Sequence, residues 1–399
     1  MPPLLAFGSC HRLSPDAPSI LPVVTNLQPS NFLWTGDAIY PPKDDPTVQG
    51  YDSSLKAMKN SPEYTDLLHV TSGNVEGTWD DHDYGVNDAG INLPDKAERQ
   101  RLYLDFLGVP EGDDRRVREG VYHAWNVDSP GGGVVRVLFL DTRTFRSTHF
   151  VPSVGGIKGL PLNAVIASFT RLLVKLTGSG SRFTGDVLGQ AQWDWIEKEL
   201  HLAASTPAVQ HTILVSSIQL LTTNPLVESW GHFPLSKRRL LTLIKSTRPP
   251  GLLVISGDVH HAEIAEVQGI KEVTSSGLTH SCDGPWYGFV CPHMLSSFPL
   301  HRDPSDFYYT GKNFGVIDVD EGGMGVKIHD EWGGVLAEMR VGRGRMEENF
   351  SWEEVPHTLT GEFSRPFALI VVSLLSVLAL AVKLIVPTRK PRKRKSKIL

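Results

Sequence analysis

The residues most able to do chemistry lie in Thr78-Trp79-Asp80-Asp81-His82-Asp83-Tyr84-Gly85-Val86-Asn87-Asp88, where four carboxylates and one imidazole share a short polar segment. Carboxylates this close repel one another, and a bound cation offsets the repulsion. The plainer alternative is a solvated acidic turn. The preceding run, Val70 to Trp79, holds β-formers and two glycines and reads as a strand releasing a loop. The same pattern recurs along the chain. Leu4 to Ser9 empties into Cys10, Asn31 to Thr35 into Gly36-Asp37 with Tyr40 three residues on, and Leu252 to Ser256 into Gly257-Asp258 with His260. A fifth apolar run ends in Asp141 and Arg143. Strand ends of an α/β sheet converge on one rim, so side chains far apart in sequence can meet there.

Carboxylates beside a thiolate, a phenolate and an imidazole suit a transition metal paired with a harder cation. A carboxylate between two cations can bridge them, and a pair about 3.5–4 Å apart supports in-line displacement at phosphorus. The planar fork of Arg143 suits phosphate oxygens. Each piece has a plainer reading alone. Gly-Asp is a common turn, a single Cys is often core, a lone His is often structural, and Arg143 could pair with Asp141. Repetition of the strand–acid pattern in one chain is what favours a site.

The elements that must position these residues read as follows. Ile20 to Leu27 follows Pro18 as a helix, and a helical stretch runs from about Ser53 to Leu68. Pro94 to Leu107 is a helix with Pro near its start. Val121 to Val127 and Val134 to Leu140 are strands about the turn Ser129 to Gly133. Thr148 to Gly185 is glycine-rich, with a helical patch near Ala164 to Leu176, and reads as an insertion or lid. Gln190 to Ala204 and Leu235 to Ser246 are helices flanking the strand His211 to Ser216. Ala262 to Val267 and Ile270 to Ser275 are strands, and Phe314 to Val319 with Gly325 to His329 form a late hairpin. Strands alternating with helices, then consecutive strands, imply a mixed α/β sandwich with helices outside.

The chain has 399 residues, 40% hydrophobic and 21% charged, which fits a globular protein. A net charge of -5 argues against a nucleic-acid binder that works by bulk charge. Cys282 and Cys291 either pair in an oxidising compartment or remain free thiols. Phe367 to Val386 is apolar except for Ser373, Ser376 and Lys383, long enough to span a hydrocarbon core of about 30 Å. A polybasic tail from Thr388 to Leu399 suits an anionic lipid face. Its Lys395 and Lys397 resemble a dilysine retrieval signal, which points to the endoplasmic reticulum. The basic tail favours a lumenal catalytic domain by the positive-inside tendency. The lack of a secretory signal favours a cytosolic one. Asn349-Phe350-Ser351 is a glycosylation sequon usable only in the lumen.

The ordered blocks Phe7 to Cys10, Thr35 to Tyr40, Trp79 to Asp88, Leu140 to Arg143, Leu188 to Trp193 and Ser256 to His260 resemble the alkaline phosphatase D (PhoD-like) family of calcineurin-like metallophosphatases. The resemblance covers about residues 4–330 and implies a four-layer α-β-β-α sandwich. Together with the apolar run and the basic tail, it sets a phosphatase domain at 1–345, a linker at 346–366, a transmembrane helix at 367–386 and a basic tail at 387–399. It implies ferric iron held by Cys10, Asp37, Tyr40 and Asp258, and calcium held by Asp37, Asp81 and His260. His82 would sit by the leaving group, and Arg143 would clamp phosphate. Ala38 replaces a position often polar in relatives. His261 doubles the histidine and blurs which ring faces inward. The chain also begins at the first strand, without the N-terminal domain of many bacterial members.

The activity this implies is hydrolysis of phosphate monoesters by a metal-bound hydroxide of lowered pKa. Arg143 would offset charge on phosphorus, and His82 would give a proton to the leaving oxygen. Phosphodiesterase or phospholipase-type hydrolysis is the alternative. A membrane-tethered protein that retains the fold without the chemistry is another. The implied partners are a phosphate ester and a membrane, with no nucleic acid.

Overall fold

A computed structural model of the chain describes residues 3–14, 18–42, 45–152, 163–284, 288, 290–297 and 306–345. The expected linker, membrane span and basic tail, 346–399, lie outside the described residues. Among the described residues, no helix is long and apolar enough to cross a membrane.

Strands β1 (Leu4–Gly8), β2 (Asn31–Thr35) and β3 (Val75–Thr78) run parallel and side by side. The other strands are β4 (His123–Ser129), β5 (Gly133–Phe139), β6 (Val209–Ser216), β7 (Leu252–Ser256), β8 (Ala262–Val267), β9 (Ile270–Ser275), β10 (Tyr308–Tyr309), β11 (Asn313–Asp320), β12 (Gly323–Asp330) and β13 (Val335–Val341). They form two mixed sheets, ordered β13-β12-β11-β1-β2-β3 and β10-β8-β9-β7-β6-β5-β4. β13 was not anticipated. It is an edge strand with few buried positions, so it carries little apolar signal.

The helices are α1 (Leu21–Asn26), α2 (Val48–Lys59), α3 (Pro62–Val70), α4 (Asp81–Tyr84), α5 (Lys96–Leu107), α6 (Asn163–Thr177), α7 (Gly189–Ser205), α8 (Pro234–Thr247) and α9 (Val290–Ser296). The single helix expected from Ser53 to Leu68 is two. Ser61 accepts from Tyr64 N and caps a new helix, and Pro62 cannot donate to the preceding turn. The strand expected from Val70 to Trp79 shrinks to β3, because α3 continues through Val70.

Alternate residues explain the layering. In β1, Leu5 and Phe7 enter the core between the sheets, while Ala6 joins the outer core with α1, α2, α3 and α5. In β2, Leu33 points inward and Phe32 and Trp34 outward. In β5, Val135 and Val137 face between the sheets, and Leu138 packs outward against α7 and α8. The central strands are therefore buried on both faces, which is why they read as continuous apolar runs. Each such side chain contributes about 1.5–3 kcal/mol when fully buried. The layers stack helix, sheet, sheet, helix.

Parallel order puts the C-terminal ends of β1, β2 and β3 on one edge, and those of β5, β6, β7 and β9 on another. The edges meet. Thr78 Oγ1 donates to Leu140 O at 2.6 Å, and Leu278 N donates to Ser9 O at 3.2 Å. Every strand-end signature in the sequence thus reaches one rim.

Candidate metal centre

The rim demands unusual backbone. Cys10, Asp37, Asp258 and His260 have φ of 60°, 51°, 72° and 59°, in the left-handed region that L-residues avoid. Such positions cost about 1–3 kcal/mol each and persist only where the surroundings over-determine them. The glycine before each aspartate makes the close approach possible. A Cβ on Gly36 would lie 2.6 Å from Asp80 Cβ, and one on Gly257 would lie 2.6 Å from Thr35 O. Backbone bonds then fix the loops. His11 N donates to Asp37 O at 2.8 Å, Cys282 N to His260 O at 2.7 Å, and His260 N to Ser276 Oγ at 2.9 Å.

The acidic segment is a helical turn, not a loop. Asp80 is the N-cap of α4, and Asp83 accepts from Asp80 N at 3.1 Å and from Ile39 N at 3.0 Å. Asp83 is therefore scaffold. Asp88 N donates to Asp81 Oδ2 at 2.7 Å and steadies that carboxylate. Asp141 accepts from the backbone of Val121, Arg143 and Thr144, so this fifth strand-end acid shapes its own turn.

Asp37 lies between two donor sets. On Oδ2 it meets Cys10 Sγ at 3.8 Å and receives the Tyr40 hydroxyl at 2.8 Å. On Oδ1 it accepts from His82 N at 3.2 Å. Ligand atoms of Asp37, Asp81 and His82 lie within 4.8 Å of one another, as do those of Asp80, Asp81 and Asp258. His260 Nε2 is 3.3 Å from the Tyr40 hydroxyl. His261 turns elsewhere, with Nε2 3.1 Å from Glu263 and Nδ1 3.0 Å from Val259 O. The doubled histidine is thus resolved geometrically, with His260 facing the cluster. His82 lies at its open side, its ring 4.1 Å from that of Tyr40 and its Nε2 3.8 Å from Asp81 Oδ1.

The electrostatics fit cations. Burial, then Asp81, pushes the Asp37 carboxyl well above the usual carboxylate range. Burial and then Asp80 do the same to Asp258. The Cys10 thiol and the Tyr40 hydroxyl are pushed up by burial and then by Asp37. Burial foremost holds His260 down at about 4, so it stays neutral with a lone pair to offer. Buried acids raised by their own neighbours are what a cation relieves. A thiol and a phenol on one side of Asp37, with carboxylates on the other, form a donor set suited to two unlike metals.

Arg143 is fully buried. Its Nε donates to Asp80 Oδ1 and its Nη1 to Glu228 Oε1 at 2.9 Å. Its Nη2 alone lacks a partner among the described residues, so the clamp expected of it would fall to that one nitrogen. Asp80 also accepts from Ser217 Oγ at 2.8 Å. Burial raises Glu228, but Arg143 and Arg146 outweigh it and hold the carboxyl well below the usual range.

Sequence reasoning missed Glu228, His280, Ser276 and Arg12. Glu228 follows no strand and carries no local signal. His280 Nε2 reaches the Tyr40 hydroxyl at 3.1 Å, and Ser276 Oγ is 3.1 Å from Cys10 Sγ. Both follow β9, whose end in Ser275-Ser276-Gly277 is the one signal that could have flagged them. Cys282 and Cys291, left open by the sequence, form a disulfide with Cα atoms 5.9 Å apart, tying the loop after His280 to α9.

The sequence model of the PhoD-like phosphatases matches residues 101–322, more than half of the chain. The chain belongs to the PhoD-like phosphatase family. It is accordingly a metal-dependent phosphoester hydrolase. The solved structure titled "Structure of PhoD" is 15% identical, with 95% of this chain and 78% of that one covered at a TM-score of 0.58. At that identity the likeness is one of fold. The structure of GAP50, "the anchor in the inner membrane complex of Plasmodium", is 11% identical and covers 87% of this chain and 90% of its own, with a TM-score of 0.47. The phosphopantetheinyl hydrolase of Mycobacterium tuberculosis is 14% identical over 69% of this chain and 89% of its own, with a TM-score of 0.37. No curated protein sequence matches the chain.

Proposed function

We propose that this PhoD-like phosphatase hydrolyses phosphate monoesters at a dinuclear centre built around Asp37. The observation that carries the reading is the division of Asp37, whose Oδ2 faces Cys10 and Tyr40 and whose Oδ1 faces the Asp81–His82 side. Cys10, Tyr40, Asp37 and Asp258 would hold ferric iron, and Asp37, Asp81 and His260 would hold calcium. When bound, the cation pair supplies an activated water and neutralises charge on the phosphoryl oxygens.

The chain's own groups do the rest. His82 is partly exposed and lines a cleft of about 540 Å³ with Tyr40, its Nε2 3.8 Å from Asp81 Oδ1. It acts as the general acid there. Arg143 braces Asp80 behind the carboxylates and keeps Nη2 for a phosphoryl oxygen.

The experiment is Asp37→Ala, with metal content and aryl phosphate hydrolysis measured together. Both should fall, because the bridge serves both cations. An Asp37→Ala protein that retains full metal content and turnover refutes the dinuclear reading. Faster turnover of a diester than of a monoester would favour the phosphodiesterase alternative.

The apolar run 367–386 would anchor the enzyme in the endoplasmic-reticulum membrane, with the catalytic domain in the lumen. The Cys282–Cys291 disulfide supports the lumenal side, since such bonds persist in oxidising compartments. Glycosidase-sensitive mobility through Asn349 tests it, and cytosolic accessibility of the catalytic domain would refute it.

A further inference from the structure

Among the described residues, Arg12 is a cation at the rim with no carboxylate partner. Its root is fixed beside the centre, since it lies two residues after Cys10 and its backbone N–H donates to Thr279 Oγ1 at 2.8 Å. The preceding His11 N donates to Asp37 O at 2.8 Å. Its guanidinium carbon sits 4.8 Å from the centroid of the Tyr40 ring. Among the described residues it makes no ion pair, whereas Arg143 is enclosed between Asp80 and Glu228. The 540 Å³ cleft is lined by Arg12, Tyr40 and His82, with Ile39, Pro41 and Met58 as apolar wall. Among the described residues that line it, none is a carboxylate. Among those lining residues Arg12 is the one guanidinium, and it shares the wall with Tyr40, whose hydroxyl donates to Asp37 Oδ2 at 2.8 Å.

We infer that Arg12 is the side chain that grips the phosphoryl oxygens of the substrate on the open side of the centre, and that it sets a preference for the more highly charged terminal phosphate. The inference rests on the phosphoesterase reading above. A monoester brings a dianion and a diester a monoanion, so the grip matters more for the monoester. The apolar wall leaves the alcohol portion without a second anionic contact. A planar guanidinium presents paired donors to two oxygens at once, which an ammonium does not.

The test uses the full-length, metal-loaded protein with Arg12→Gln and Arg12→Lys. Four quantities are read: metal content, the inhibition constant of inorganic phosphate, and KM and kcat for an aryl phosphate monoester and a bis-aryl diester. Arg12→Gln should weaken phosphate inhibition and raise the monoester KM by about 10–100-fold, the usual range for a lost charge-assisted hydrogen bond. The diester KM should rise less, metal content should not change, and Arg12→Lys should recover part of the loss. Phosphate inhibition within twofold of the parent in Arg12→Gln overturns the inference. So does a fall in metal content that tracks the activity, which would make Arg12 a support of the centre. A metal-loaded parent protein that neither binds phosphate nor hydrolyses either ester refutes the phosphoesterase reading itself, and the inference falls with it.

Discussion

Replacing Arg143 with Gln separates a buried strut from a phosphate clamp. The guanidinium is fully buried between Asp80 and Glu228. Removing one member of a buried charge pair typically costs about 3–5 kcal/mol, because the partner is left uncompensated. The two carboxylates lose unequally here. Glu228 retains Arg146 at 3.5 Å and Arg171 at 3.8 Å, whereas Asp80 retains no guanidinium among the described residues, its Oδ1 keeping Ser217 Oγ at 2.8 Å. The lower end, about 3 kcal/mol, is therefore expected. For a domain of this size that is a fall in Tm of roughly 4 °C.

The loss should depend on pH, with a definite sign. Burial already raises Asp80 to about 6 against the pull of Arg143. Without Arg143 it rises further. An acid raised in the folded state binds more protons folded than unfolded, so stability falls as pH climbs from the ordinary carboxylate value through the folded one. In the parent that fall ends near pH 6. In Arg143→Gln it continues above pH 6, so the deficit is smaller at pH 6 than at pH 8. Thermal unfolding of chelator-treated protein at the two pH values reads this directly. A variant that melts within about a degree of the parent at pH 8 would refute the strut, and a raised KM in that variant would leave Arg143 only the phosphoryl contact of its Nη2.

His260→Ala should lower metal content while His261→Ala should not, because only His260 faces Tyr40 and His261 is held by Glu263 and Val259 O. Equal losses of metal in the two variants would refute that assignment. Opening the Cys282–Cys291 bridge with reductant should cost about 2–3 kcal/mol by loop entropy and loosen His260, whose carbonyl accepts from Cys282 N at 2.7 Å. Titration of three free thiols in unfolded, unreduced protein would show that the bridge is absent.

The candidate site was legible where acids and the thiol follow a strand. Cys10, Asp37, Asp81 and Asp258 each sit a residue or a few beyond an apolar run, and parallel sheets carry such ends to one rim. Helix limits were legible where propensity and packing agree, as at α7 and α8. The reading failed at Ser53 to Leu68 because a helical pattern ran across Ser61-Pro62 and outweighed the cap. It failed at the acidic segment because clustered Asp residues read as loop, whereas here two of them close the turn of α4. Glu228 was invisible for a different reason. Its role is set by Arg143, Arg146 and Arg171, which come from distant segments, and nothing in the residues beside it records that meeting.

What Glu228 gathers also explains how a fold can hold so much acid at one edge. Arg171 on α6 pairs with Asp88, whose N–H steadies Asp81, and Arg143 pairs with Asp80. The outer carboxylates of the cluster are thus neutralised from behind by guanidinium groups that Glu228 holds in place. Asp37 and Asp258 have no such cation, and burial and their neighbours raise both. Compensation stops where the two donor sets of Asp37 begin. The chain pairs the acids that only support the centre with guanidinium groups and, among the described residues, leaves the ones that face into it without a cation, which is the distribution a metal site requires and a solvated acidic turn does not.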